Sequence, residues 1–123
     1  MGECIVTKVI KMPNLKLLHI RQVLRATINA RKILVPGDRI RVTRCPGTKR
    51  TVTFVCWDGS WIVSRSGIND ICAVSIDKLN GKEINITECM PLNKEENNIL
   101  DLAIFNKSKA FTELKLYFYK LGI

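Results

Sequence analysis

The chain predicts an α+β fold: a small antiparallel β-sheet or partly open barrel with an N-terminal helix and two C-terminal helices. Three observations carry this. The middle alternates apolar and polar residues around turn-forming pairs, the C-terminal third repeats apolar residues at helical spacing behind capping residues, and an apolar stretch of helix length follows Asn14. At 123 residues, 46% hydrophobic and 25% charged, the chain suits one core and a single domain over 1–123, and a disordered tail is excluded.

Taken in order, residues 4–12 are rich in β-branched side chains and stop at Pro13, which predicts a first strand. Asn14 offers an N-cap for a helix to about Arg31, although its apolar residues lie almost all round the helical wheel. Arg21 and Arg25 share a face whether this segment is helix or strand. Pro36 and Gly37 mark a turn into a half-buried strand, Asp38 to Arg44, with Ile40 and Val42 on one side and Arg39 and Arg41 on the other.

Thr51–Trp57 and Ser60–Arg65 flank Asp58-Gly59, a pair that favours a tight hairpin. A two-residue turn there pairs Trp57 with Ser60, Cys56 with Trp61, Val55 with Ile62, Phe54 with Val63 and Thr53 with Ser64. The two tryptophans must then face opposite sides, with Trp61 in the core. Both sheet faces are substantially apolar, so the second needs a helix, a closed barrel or another subunit, and oligomerisation is the expectation.

A strand follows from about Ile71 to Ile76, and Asn80-Gly81 turns the chain into a further strand, Glu83 to Glu88. Ile84 and Ile86 would face opposite to Val74 and Ile76, which requires a bulge or burial on both sides. Asn93 is expected to cap a helix with Glu95 and Glu96 in its first turn and an apolar stripe of Ile99, Leu100, Ala103 and Ile104. Ser108 is expected to cap a second, with Phe111, Leu114, Phe118 and Leu121 on its stripe and Gly122 ending it.

Charge is divided unevenly. Residues 1–65 carry 13 basic and 3 acidic side chains, including all eight arginines, whereas 66–123 carry 7 basic and 8 acidic ones. Arg pairs bidentately with phosphate, so this half suggests an anion-recognition surface, against the plainer reading of a solvated basic face. The five cysteines are odd in number, lack a Cys-x-x-Cys pair and read as small buried hydrophobes of a reducing compartment. No stretch is long and apolar enough for a membrane span and the N-terminus has no leader pattern, so an intracellular protein is expected.

With one histidine, His19, no carboxylate pair and no glycine-rich phosphate loop, catalytic, metal and cofactor chemistry have little to build on. Ligand binding has more. Trp57, Arg65, Ser66, Asn69 and Asp70 gather an aromatic face, a guanidinium, a hydroxyl, an amide and a carboxylate around two turns, the groups a nucleotide asks for. The competing reading makes 64–70 an ordinary loop. Arg21 and Arg25 form a second candidate anion site, against two solvent-facing arginines on a helix.

The run Asn14-Leu15-Lys16-Leu17-Leu18-His19-Ile20-Arg21-Gln22-Val23-Leu24-Arg25, followed by arginine-rich strands and the Trp-Asp-Gly hairpin, resembles the phage anti-Thoeris sponge proteins of the first described type. The likeness is one of size, element order and paired arginines. It implies a non-catalytic cytoplasmic protein, acting in the bacterial host cell, that captures a cyclic ADP-ribose isomer or other small cyclic nucleotide. It also implies assembly as dimers and hexamers built from dimers, with Arg21 and Arg25 holding cyclic oligonucleotides. The rival reading is a small basic barrel that binds nucleic acid or inhibits a nuclease, whose affinity would fall steeply with salt.

Overall fold

The computed structural model describes residues 2–44, 47–67 and 70–122, with side chains in the first helix from Leu18 onward. Helix α1 (Gly2–Ile33) leads into six strands, β1 (Arg39–Arg44), β2 (Thr48–Asp58), β3 (Trp61–Ser64), β4 (Ile71–Cys72), β5 (Ile76–Leu79) and β6 (Lys82–Glu83), then α2 (Lys94–Leu102) and α3 (Lys107–Leu121). The strands form one open antiparallel sheet in the order β4-β3-β2-β1-β5-β6.

Three layers result, with α1 in the middle. Its Ala26, Ala30 and Leu34 pack on the inward sheet residues Ile40, Val42, Val52, Phe54 and Ile62. Its Leu24 and Ile28 pack the other way, against Ile99, Leu100, Leu114 and Phe118 of α2 and α3. A helix apolar all round is a helix covered all round. The unbroken burial of Ala26 to Ala30 is therefore what the sequence pattern after Asn14 was reporting.

The strand expected over 4–12 is helix, and Asn14 lies inside α1 instead of capping it. Residues 4–12 have no strand neighbour in the sheet order, and extending an existing helix adds one hydrogen bond per residue fixed, which outweighs a weak β preference. Pro13 forfeits one of those bonds without ending the helix.

The β2–β3 hairpin turns one residue later than expected. Asp58 pairs with Trp61, Trp57 with Ile62 and Cys56 with Val63, and a bulge between Phe54 and Cys56 sets Phe54 opposite Ser64. Gly59, at φ +64°, occupies the first central position of the turn, where a positive φ suits glycine, and Ser60 follows. The extra residue of the bulge reverses the facing of the hairpin tip relative to Phe54. Trp57 and Ile62 therefore point to the core, while Trp61, expected there, is 47% exposed on the outer face. Cys56 and Cys89 are also exposed, contrary to the expectation of buried thiols.

The strand expected over 71–76 is interrupted by a 3-10 turn, Ala73–Ser75, closed by Ser75 Oγ donating to the Cys72 carbonyl at 2.6 Å. Asn80 and Gly81, both at positive φ, make the tight turn into β6. That strand ends at Glu83 because the chain dips into the core: Ile86 is buried, and the carbonyls of Ile86 and Thr87 accept from Asn29 Nδ2 at 2.9 and 3.1 Å. Asn93 caps α2 in a capping box with Glu96. Asn106, not Ser108, caps α3 by accepting from the Lys109 amide. Ile104 and Leu121, expected on apolar stripes, are exposed.

Candidate functional site

The bulge in β2 shapes a candidate site among the described residues. By turning Trp57 inward it sets the indole edge-on to Phe54, at 5.7 Å between ring centroids, and beneath Arg31 of α1. The Arg31 guanidinium carbon stands 4.9 Å from the Trp57 ring and 4.6 Å from that of Phe118 on α3, a cation held between two aromatic faces. Its Nη2 donates to the Gly59 carbonyl, tying α1 to the hairpin turn. Burial pushes the Arg31 guanidinium below its ordinary pKa, which still leaves it protonated at neutral pH.

Arg31 forms part of the wall of a cleft of about 450 Å³ between the Gly59-Ser60 turn and α3. Phe111, Lys115 and Phe118 follow one another at helical spacing along its α3 side, and Tyr119, 87% exposed, stands at the rim. Among the described residues that line it there is no carboxylate and no histidine. The chemistry on offer is two cations, hydroxyls and ring faces, groups able to contact an anion attached to a flat ring. A second hollow of about 360 Å³, between α2 and α3, carries Glu95 and Glu113 beside Lys120.

The residues singled out by sequence lie in three places. Arg21 donates to the Leu100 carbonyl at 3.1 Å and pairs with Asp101 at 3.2 Å, so it closes the end of α2. Arg25, one turn on, pairs with Glu88 at 3.4 Å. Trp57 supports Arg31 under the cleft. Arg65, Ser66 and Asp70 are exposed beyond the far end of β3 from the turn, and Asn69 lies outside the described residues. Sequence reasoning missed Arg31, Lys115 and Tyr119. The available signal was a lysine interleaved with aromatics at 111, 115, 118 and 119, one stripe of a helix.

Opposite α1 the described sheet residues Arg39, Cys56, Trp61 and Arg65 are exposed. Because Ile40 and Val42 point inward, Arg39 and Arg41 point out, and the register sets them beside Thr53 and Thr51. Arg41 donates to both oxygens of Asp77, at 2.8 and 2.9 Å, and Lys49 donates at 2.6 Å. These two cations hold the Asp77 carboxyl far below the usual carboxylate range. Among the described residues no group of three or more His, Cys, Asp or Glu could hold a metal, and no helix is long and apolar enough to cross a membrane. No protein-family model, no curated protein and no solved structure matches the chain.

Proposed function

We propose that the protein captures a small phosphorylated ligand of the nucleotide class in the cleft between the β2–β3 turn and α3, and releases it unchanged. The observation that supports this is the Arg31 guanidinium held between Trp57 and Phe118 in a cleft that also offers Lys115 and the Tyr119 ring. At about 450 Å³ the cleft falls within the ~300–1,000 Å³ usual for small-molecule sites, so it suits a compact nucleotide better than a polymer. Arg31 and Lys115 would neutralise phosphate, and Phe111 or Tyr119 would stack the base, each ring contributing about 1–3 kcal/mol. The cyclic ADP-ribose isomers implied by the sequence resemblance are ligands of this kind. Sequestering such an immune signal in the bacterial cytoplasm, as an assembly of identical subunits, is the biological form of the reading.

The test is calorimetric titration with a panel of linear and cyclic nucleotides, followed by denaturation and mass spectrometry of the released ligand. Tyr119→Ala and Lys115→Glu alter exposed positions of α3 and should leave the fold intact. Each is expected to weaken capture about tenfold, the lower part of the range for one lost stack or charged hydrogen bond. Unchanged affinity in both variants, or recovery of a cleaved ligand, would overturn the reading. Sedimentation of the same samples reports the assembly.

A further inference from the structure

We infer that the sheet face turned away from α1 is a second site, for single-stranded nucleic acid. Strand register places its side chains. Trp61 lies opposite Asp58 and Cys72 and is 47% exposed, an indole standing on the face of the sheet. Val63 and Cys56 follow on the same side as a neutral floor. Arg65 comes next: its amide donates to the Thr53 carbonyl, which sets it beside Thr53, and Thr53 pairs with Arg39 on the other flank. Arg39 and Arg65 thus flank one row of the face, about 10 Å apart at two strand spacings, with Trp61 about 13 Å along β3. Both are exposed, and neither forms an ion pair among the described residues. Arg41 and Lys49 are engaged by the one carboxylate of Asp77, and Lys78 lies opposite Glu83, so these cations are less available than Arg39 and Arg65.

An aromatic face at one end and two exposed guanidiniums at the other match a strand of nucleic acid, whose bases stack on any exposed ring and whose phosphates take the arginines. Asp58 beside Trp61 repels phosphate from the indole end and so sets the polarity: base on Trp61, backbone toward Arg39 and Arg65. Charge argues against the other occupants. A second copy meeting face to face would bring four such arginines into one interface against two copies of Asp58, in a chain already carrying a formal charge of +9. A duplex hides its bases from a ring presented on a broad sheet.

The test is fluorescence anisotropy of a labelled oligothymidylate of about 20 nucleotides. Binding is expected to weaken with salt, and Trp61→Ala to lower affinity about tenfold. Arg39→Glu and Arg65→Glu should each lower affinity and reduce the salt slope by about one. Lys109→Glu, the same charge change on exposed α3, should leave affinity within about twofold, since a distant charge acts only through the screened field. Tyr119→Ala should bind the oligonucleotide as the parent does, so failure of this face and failure of the cleft are separable. The inference is overturned if Trp61→Ala binds unchanged, if Lys109→Glu weakens binding as much as Arg39→Glu, if a duplex of equal length binds as tightly, or if the parent dimerises and Trp61→Ala abolishes that dimer.

Discussion

Replacing Glu96 by alanine should cost more stability than any surface change, because its carboxylate joins all three helices while being fully buried. Lys32 of α1 reaches its two oxygens at 2.8 and 2.7 Å, the Tyr117 hydroxyl of α3 donates at 2.9 Å, and the Asn93 amide donates at 2.9 Å. Breaking a buried ion pair from one side costs about 3–5 kcal/mol. The Lys32 side chain keeps 22% of its surface in water and can turn outward, which favours the low end, and the lost half of the capping box adds back a fraction of the ~0.5–2 kcal/mol a cap is worth. The total is about 3–4 kcal/mol, a large share of the ~5–15 kcal/mol typical of a domain, and a Tm lower by about 10–15 °C at this size.

Glu96→Gln separates charge from shape, since glutamine keeps the volume and the oxygen that caps Asn93; it should lose about half as much. Burial pushes the Glu96 carboxyl up, but Lys32, Asn93 and Tyr117 more than offset that and leave its pKa below the ordinary carboxylate range. A group depressed in the folded state contributes stability above its unfolded pKa, about 4.3, and loses that contribution as pH falls through the folded value. Urea melts of parent and Glu96→Gln should therefore differ at pH 7 and converge in acid. A Glu96→Gln protein as stable as the parent at pH 7, or a gap that stays constant down to pH 3, would refute the assignment of a net stabilising charge.

Asp77→Asn should lower the urea midpoint at neutral pH by loosening the β1–β5 pairing. The deficit should vanish only in strong acid, because Arg41 and then Lys49 hold that carboxyl far below its usual range and its contribution is lost as pH falls through the folded pKa. Arg21→Ala should cost about 1–2 kcal/mol, since its guanidinium bonds the Leu100 carbonyl at the end of α2. Hydrogen exchange of the last turn of α2 should rise in parallel. Should the same variant abolish binding of a cyclic oligonucleotide with no loss of stability, Arg21 belongs to a site and not to this clasp.

How much was legible in advance can be read from particular residues. The Asn93 cap with Glu95 and Glu96, the Gly122 stop, the Asn80-Gly81 turn and the alternation of Ile40 and Val42 against Arg39 and Arg41 were all fixed by local rules: a capping oxygen, a positive φ, a period of two. The opposition of Trp57 and Trp61 also followed from parity alone. The candidate cleft was not legible, because its floor depends on a bulge and a turn displaced by one residue. Local propensity hardly distinguishes those arrangements, yet the displaced turn changes every cross-strand partner and the bulge decides which face of the hairpin tip meets the core.

The amino-acid order by itself determined the element types over most of the chain, the α+β class, and the crowding of arginine into the first 65 residues. Tertiary structure alone decided that residues 4–12 extend a helix, that α1 is the central layer, and which arginines are spent on neighbours and which are not. The reason is physical: capping, turn chemistry and periodicity act over a few residues. The fate of a guanidinium depends on what another segment, 80 residues away for Arg21 and Asp101, brings within reach.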